Sequence, residues 1–221
     1  MKKVILGLII STIGIMATEV ETVNIKKALY SEYSYEVKTV MNILSQDKKT
    51  SKSIPATIKY NNKKILKTKN GFKAESSIIL GLVLPNNIIS EVKTKTKYFL
   101  DKKYTIVSMK EETIIDGKST LVSCSVVGKK NTTLTFNKNI GFKESISFNC
   151  SDKLLRVKEI ELRQSHLGKN MLEIKDTISS SGMKSVDLKR ILIDKLGNID
   201  GISEDLRSEI FQLKYNTTDI K

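Results

Sequence analysis

Few residues in this chain have side chains that could carry out chemistry. His166 is the single histidine of the 221 residues. A histidine-based metal cluster is therefore excluded, and any Ser/His/Asp or Cys/His relay would have to use this one residue. It stands between Ser165 and Leu167 in a predicted strand-to-turn region, where a surface histidine is the ordinary finding. No nucleophile elbow, His-Glu-x-x-His pair or phosphate-cradling glycine loop occurs. Asn198, Asp200 and Gly201 echo a calcium loop, but Leu196 takes the first-ligand place and Arg207 that of the terminal glutamate, which removes both strongest ligands. The chain reads as a non-enzyme that implies no metal and no cofactor.

The two cysteines, Cys124 and Cys150, each lie on the apolar side of an alternating run: Val122, Cys124, Val126 in one and Ile146, Phe148, Cys150 in the other. Both can face one core. A disulfide and a pair of buried free thiols are both open on this pattern.

The N-terminus points to an oxidising compartment. Lys2 and Lys3 precede an apolar run from Val4 to Ala17, and Ala17 before Thr18-Glu19 offers a cleavage site. The run is shorter than the about 20 residues a spanning helix needs, so residues 1–17 read as a cleavable signal peptide, with an uncleaved anchor as the alternative. No later stretch is long enough to span a membrane as a helix. The expected product is an exported bacterial envelope protein, periplasmic or else secreted or on the cell surface. In that setting the Asn-x-Ser/Thr triplets at Asn131, Asn149 and Asn216 are chance matches.

Cleavage would take the formal charge from +14 to +12. Such a basic product could meet an anionic envelope surface, or its lysines could simply be solvated. Arginine is scarce, tryptophan is absent and no aromatic-rich basic motif occurs, so nucleic acid is not an expected partner.

From residue 18 to 182 the pattern is that of an antiparallel β domain. Ile54, Ala56, Ile58 and Tyr60 alternate with polar residues up to Asn61-Asn62. Turn signals follow at Asn70-Gly71, Asp101 to Lys103, Asp116-Gly117, Gly128 to Asn131, Ser151 to Lys153 and Gly168 to Asn170. Such close spacing allows hairpins and excludes parallel crossovers. The expected fold is mainly β (α+β): a large curved antiparallel sheet or open half-barrel. A short N-terminal helix is predicted within Val20 to Ser31, and residues 183–221 are predicted to form two C-terminal helices. The first rests on Leu188, Ile191, Leu192 and Leu196 at helical spacing, and the second on Leu206, Ile210 and Leu213 behind a Ser203 cap. Ile78 to Leu84 is apolar throughout and admits two readings, a strand buried on both sides or a flap over an apolar cavity.

The order of elements, with "TIKYNNKKILKT" running into "NGFKAESS" and "TLTFNKNIGFKESISF" later, resembles the periplasmic outer-membrane lipoprotein-sorting (LolA-like) proteins, loosely from Val20 to Ile178. Lys73 stands where that family often has arginine, and tryptophan is missing. The resemblance implies a concave apolar face that shelters acyl chains, lined here by Val40, Ile58, Tyr60, Phe72, Leu82, Leu84, Phe136, Phe142, Ile146 and Phe148. The expected function is thus a periplasmic carrier or sensor for a lipid, an acyl chain or a lipidated protein. The alternative is an envelope interaction protein that uses its basic face or C-terminal helices. N-terminal sequencing of exported protein should begin at Thr18 in a soluble fraction; Met1 on membrane-bound protein would contradict this.

Overall fold

The computed structural model describes residues 25–221, apart from residues 46, 48, 86–88, 137–138, 165–169, 195 and 197. Residues 1–17, read above as a signal peptide, and His166 lie outside the described residues. Among them, strands dominate: β1 (Tyr33–Leu44), β2 (Thr50–Asn62), β3 (Leu66–Thr68), β4 (Gly71–Val83), β5 (Ile89–Leu100), β6 (Ile106–Ile115) and β7 (Lys118–Phe136). Then come β8 (Asn139–Cys150), β9 (Leu155–Gln164), β10 (Asn170–Ser180), β11 (Met183–Ile193), β12 (Ile199–Arg207) and β13 (Phe211–Thr217). Every pairing is antiparallel, and each strand from β4 to β13 lies beside its sequence neighbours. β13 meets β1, and β2 meets β4 from Ala56↔Leu82 to Asn62↔Ser76, which closes twelve strands into a barrel. The short β3 is a flap on the start of β4.

Closure corrects the expected open half-barrel, and the two C-terminal helices are not formed. Residues 183–193 are β11, 199–207 are β12 and 211–217 are β13. The helical spacing misled because the inward positions of these strands carry charge. Along β11 the inward side is Ser185, Asp187, Lys189, Ile191 and Ile193, and along β12 it includes Ile202, Glu204 and Leu206. Leu188 and Leu192, which suggested a helix face, belong to the opposite side of β11. A period of two was present, but polar residues occupied the buried side.

The N-terminal helix is one turn and a half, residues 25–29, and it stops up one end of the barrel. Ile25, Lys26 and Tyr30 are buried. Asn62 Nδ2 donates to the carbonyls of Leu29 and Ser31 at 3.3 and 2.6 Å, capping groups the short helix cannot satisfy itself. Lys26 Nζ lies 2.8 Å from Glu144 Oε2, and Lys129 Nζ lies 3.0 Å from the other carboxylate oxygen. Glu144 is 1% exposed, so the two lysines neutralise a charge that would otherwise be costly to bury.

The turns follow local chemistry. Asp116 and Gly117 both take positive φ, 48° and 77°, as a tight two-residue hairpin of primed type requires. At Asn70-Gly71 the hairpin forms one residue earlier, with Thr68 opposite Gly71. Gly71 serves packing instead: a Cβ there would lie 2.1 Å from the Leu100 carbonyl oxygen.

The outer wall is charged. Lys143 and Lys175 flank Glu159 at 3.1 and 3.2 Å, and Arg190 meets Glu173 at 2.9 Å. A lipid-embedded barrel would carry an apolar band about 25 Å tall in that place. No described helix is long and apolar enough to cross a membrane.

Cys124 and Cys150 are bonded, Sγ to Sγ at 2.04 Å, between directly opposed positions of β7 and β8. The link closes a sequence separation of 26 residues. Reduction should lower unfolding stability by about 3.5 kcal/mol, the loop-entropy figure for this size. Equal melting curves with and without reductant would contradict it.

Candidate functional site: the barrel lumen

About eight strands enclose an interior that side chains can fill, and twelve enclose more. Here the surplus is a cavity of about 710 Å³ running up the barrel axis. Its floor is Leu29 and Tyr30 at the helical plug, with Tyr33, Asn62 and Phe148 around them. Its far end is ringed by Ile43, Leu82, Val92, Leu206, Ile210 and Phe211.

The two sides of the lumen differ. The β1–β5 side is mostly apolar, with Met41, Ile43, Ile78, Leu80, Leu82 and Val92. Ile78 to Leu84 supplies the centre of it, and the two readings of that run resolve into alternation. Ile78, Leu80 and Leu82 line the cavity, and the residues between them face outward. The β6–β12 side carries Glu111, Arg156, Lys158, Asp176, Asp187, Lys189 and Glu204.

The cations on this side are already matched. Lys158 Nζ donates to Asp176 Oδ2 at 2.6 Å and sits 5.5 Å from the Tyr98 ring centre. Burial is the largest single influence and opposes its charge, yet Asp176 together with the Tyr98 and Tyr30 phenols outweighs it and the pKa is raised. Arg156 donates to Glu111 at 3.1 Å and to Asp152 at 2.6 Å. Lys189 is buried 3.5 Å from Glu204 Oε2 and 3.8 Å from the Tyr60 ring centre, with the ring centre of Tyr35, stacked on Tyr60, at 5.4 Å. Tyr215 donates to the same Glu204 oxygen at 2.7 Å, and its own oxygen lies 2.8 Å from that of Tyr35. Burial, with Glu204 next, raises the Tyr215 phenol above its ordinary value.

Asp187 is different. Its Oδ1 is buried and has no hydrogen-bond partner among the described residues. Loss of hydration, followed by the Glu204 and Asp176 carboxylates, holds its pKa well above the usual carboxylate range; Lys189 and Lys158 oppose this without overcoming it.

The residues expected to line an acyl site separate in space. Tyr60, Leu82 and Phe148 line the cavity. Ile58 and Ile146 are buried in the packed wall, while Phe142 and Leu84 pack against it half-buried. Phe72 stacks on Tyr104 at 4.4 Å between ring centres, near the plugged end. Val40 is 44% exposed on the outer side. Phe136 lies in β7, and its side chain is outside what is described. The charged lining was missed altogether. Its signal was parity: Arg156 and Lys158 share the inward phase of Ile160 and Leu162, as Asp187 and Lys189 share that of Ile191 and Ile193.

A carboxyl that binds its proton more tightly in the folded chain than at the unfolded value of about 3.9 lowers stability as pH rises from about 4 through the folded value. Asn cannot ionise. Asp187→Asn should therefore melt with the wild type near pH 4 and above it at pH 8, by about 2–4 °C for each kcal/mol recovered. A variant less stable at pH 8 would contradict the raised value. No family model, curated protein or solved structure matches the chain.

Proposed function

We propose that the protein is a carrier or sensor that holds a single-chain lipid or acyl group in the barrel lumen. The observation that carries this reading is the cavity of about 710 Å³ with Ile78, Leu80 and Leu82 on one wall. Each methylene moved from water onto such a wall gains about 0.8 kcal/mol, so a dodecyl chain has ample reason to enter. The volume falls within the range of about 300–1,000 Å³ usual for small-molecule sites. A charged outer wall and a lumen with one apolar side suit a body that keeps such a chain out of water. This is the role the LolA-like resemblance implies, reached here through a closed barrel. Export to the periplasm or cell surface belongs to the same proposal. The alternative interaction role is left with the basic surface alone, since the C-terminal helices are absent.

The uncharged fluorophore 1-N-phenylnaphthylamine should brighten and shift on binding, saturating near one per chain. Leu82 borders open space, so Leu82→Ala should cost less than the about 2–5 kcal/mol typical of a packed leucine while weakening the fluorophore several-fold. Leu80→Trp should narrow the lumen beside its apolar wall and weaken binding in a chain that still melts cooperatively. Folded wild-type protein that leaves the fluorophore dark would overturn the carrier reading.

A further inference from the structure

Resting on the lumen as a chain-binding site, we propose that its ligand is a single-chain amphiphile with a protonated amine head, whose ammonium meets the unpartnered Asp187 carboxylate while its chain lies along Ile78, Leu80 and Leu82. Four carboxylates line the cavity against three cations, an acidic interior in a chain of net charge +14. The imbalance is local to one group. Asp176 is matched by Lys158, Glu204 by Lys189 and Glu111 by Arg156, which leaves Asp187 without a cation of its own.

An anionic head finds no such vacancy. The other buried lumen atom without a hydrogen-bond partner among the described residues is Arg156 Nε, and its guanidinium charge is already shared between Glu111 and Asp152. A carboxylate or phosphate there would have to break one of those pairs. An ammonium beside Asp187 breaks none of these pairs and supplies the cation that the carboxylate lacks. Asp187 lies opposite Asp176 on β10 and opposite Leu206, a residue of the far-end ring, on β12. A head held there leaves the chain in contact with the apolar wall of β4.

Binding should compete with the proton on Asp187. The groups facing it are Glu204, Asp176, Lys189 and Lys158, of which the two lysines are already charged and paired. Below the carboxyl's own pKa, amine affinity should fall by up to roughly tenfold per pH unit, and above it should level off.

The test is displacement of 1-N-phenylnaphthylamine at pH 7.5 by dodecylamine, dodecanol and lauric acid, on wild type and on Asp187→Asn. Dodecylamine should bind at least tenfold tighter than either other chain. Asp187→Asn should remove that preference while keeping the fluorophore and dodecanol. In wild type alone, so that no variant need fold, the dodecylamine-to-dodecanol ratio should climb from pH 5 to pH 7.5. Lauric acid binding as tightly as dodecylamine, a preference that survives Asp187→Asn, or a ratio flat with pH would each overturn the amine assignment and leave the chain-binding lumen standing. No fluorophore or chain binding at all would overturn both.

Discussion

The pairing of β2 with β4 is the interaction on which the rest of the molecule depends. Seven residue pairs from Ala56↔Leu82 to Asn62↔Ser76 turn a thirteen-stranded sheet into a tube. An open sheet would leave Leu80 and Leu82 at a water-washed edge and Lys189 with solvent on one side. Closure gives every inward residue the same low-dielectric interior, which strengthens ion pairs and penalises any polar atom left over. The buried Lys26–Glu144 pair extends this logic to the plug, because it ties the helix to β8, and the exposed Lys129 of β7 meets the same carboxylate from the solvent side.

A lumen with so many charges is an unusual way to line a barrel if stability alone were at stake. Apolar residues of similar volume in place of a buried ion pair are often neutral or stabilising. Here the pairs share a ring of aromatic faces: Tyr35 and Tyr60 stack at 5.0 Å between centres, Tyr33 and Tyr60 at 5.3 Å, and Lys189 lies over two of the three. The cation is held by both a carboxylate and ring faces, which fixes its position more firmly than either would alone. The result is a rigid polar side facing a plain apolar one, a cavity that is itself amphipathic.

The sequence disclosed the local part of this and hid the non-local part. Asp116-Gly117, the strands on either side, and the shared inward phase of Cys124 and Cys150 were all readable, since each depends on neighbours in the chain. The β2–β4 contact was not, because nothing local distinguishes a strand that meets a partner across a loop from one at an open edge. The last three strands were lost for a different reason. Asp187, Lys189 and Glu204 occupy inward positions, so hydrophobicity no longer marked the buried face and the outward Leu188 and Leu192 suggested a helix. The residues that made β11 and β12 hard to recognise are those that give the lumen its character.

The placement of β1 beside β13 bears on how the chain can fold. Met41↔Leu213, Asn42↔Gln212 and Ile43↔Phe211 join the two, and near the other end Ser34 and Lys221 exchange backbone hydrogen bonds. The first strand therefore waits for the last. Every earlier hairpin can zip from its own turn, but the wall stays open until residues 211–217 have arrived, a long-range contact of the kind that slows folding. Until then the partly built sheet exposes its future lining to whatever is nearby, so the final strand acts as the latch that turns a sticky ribbon into a vessel.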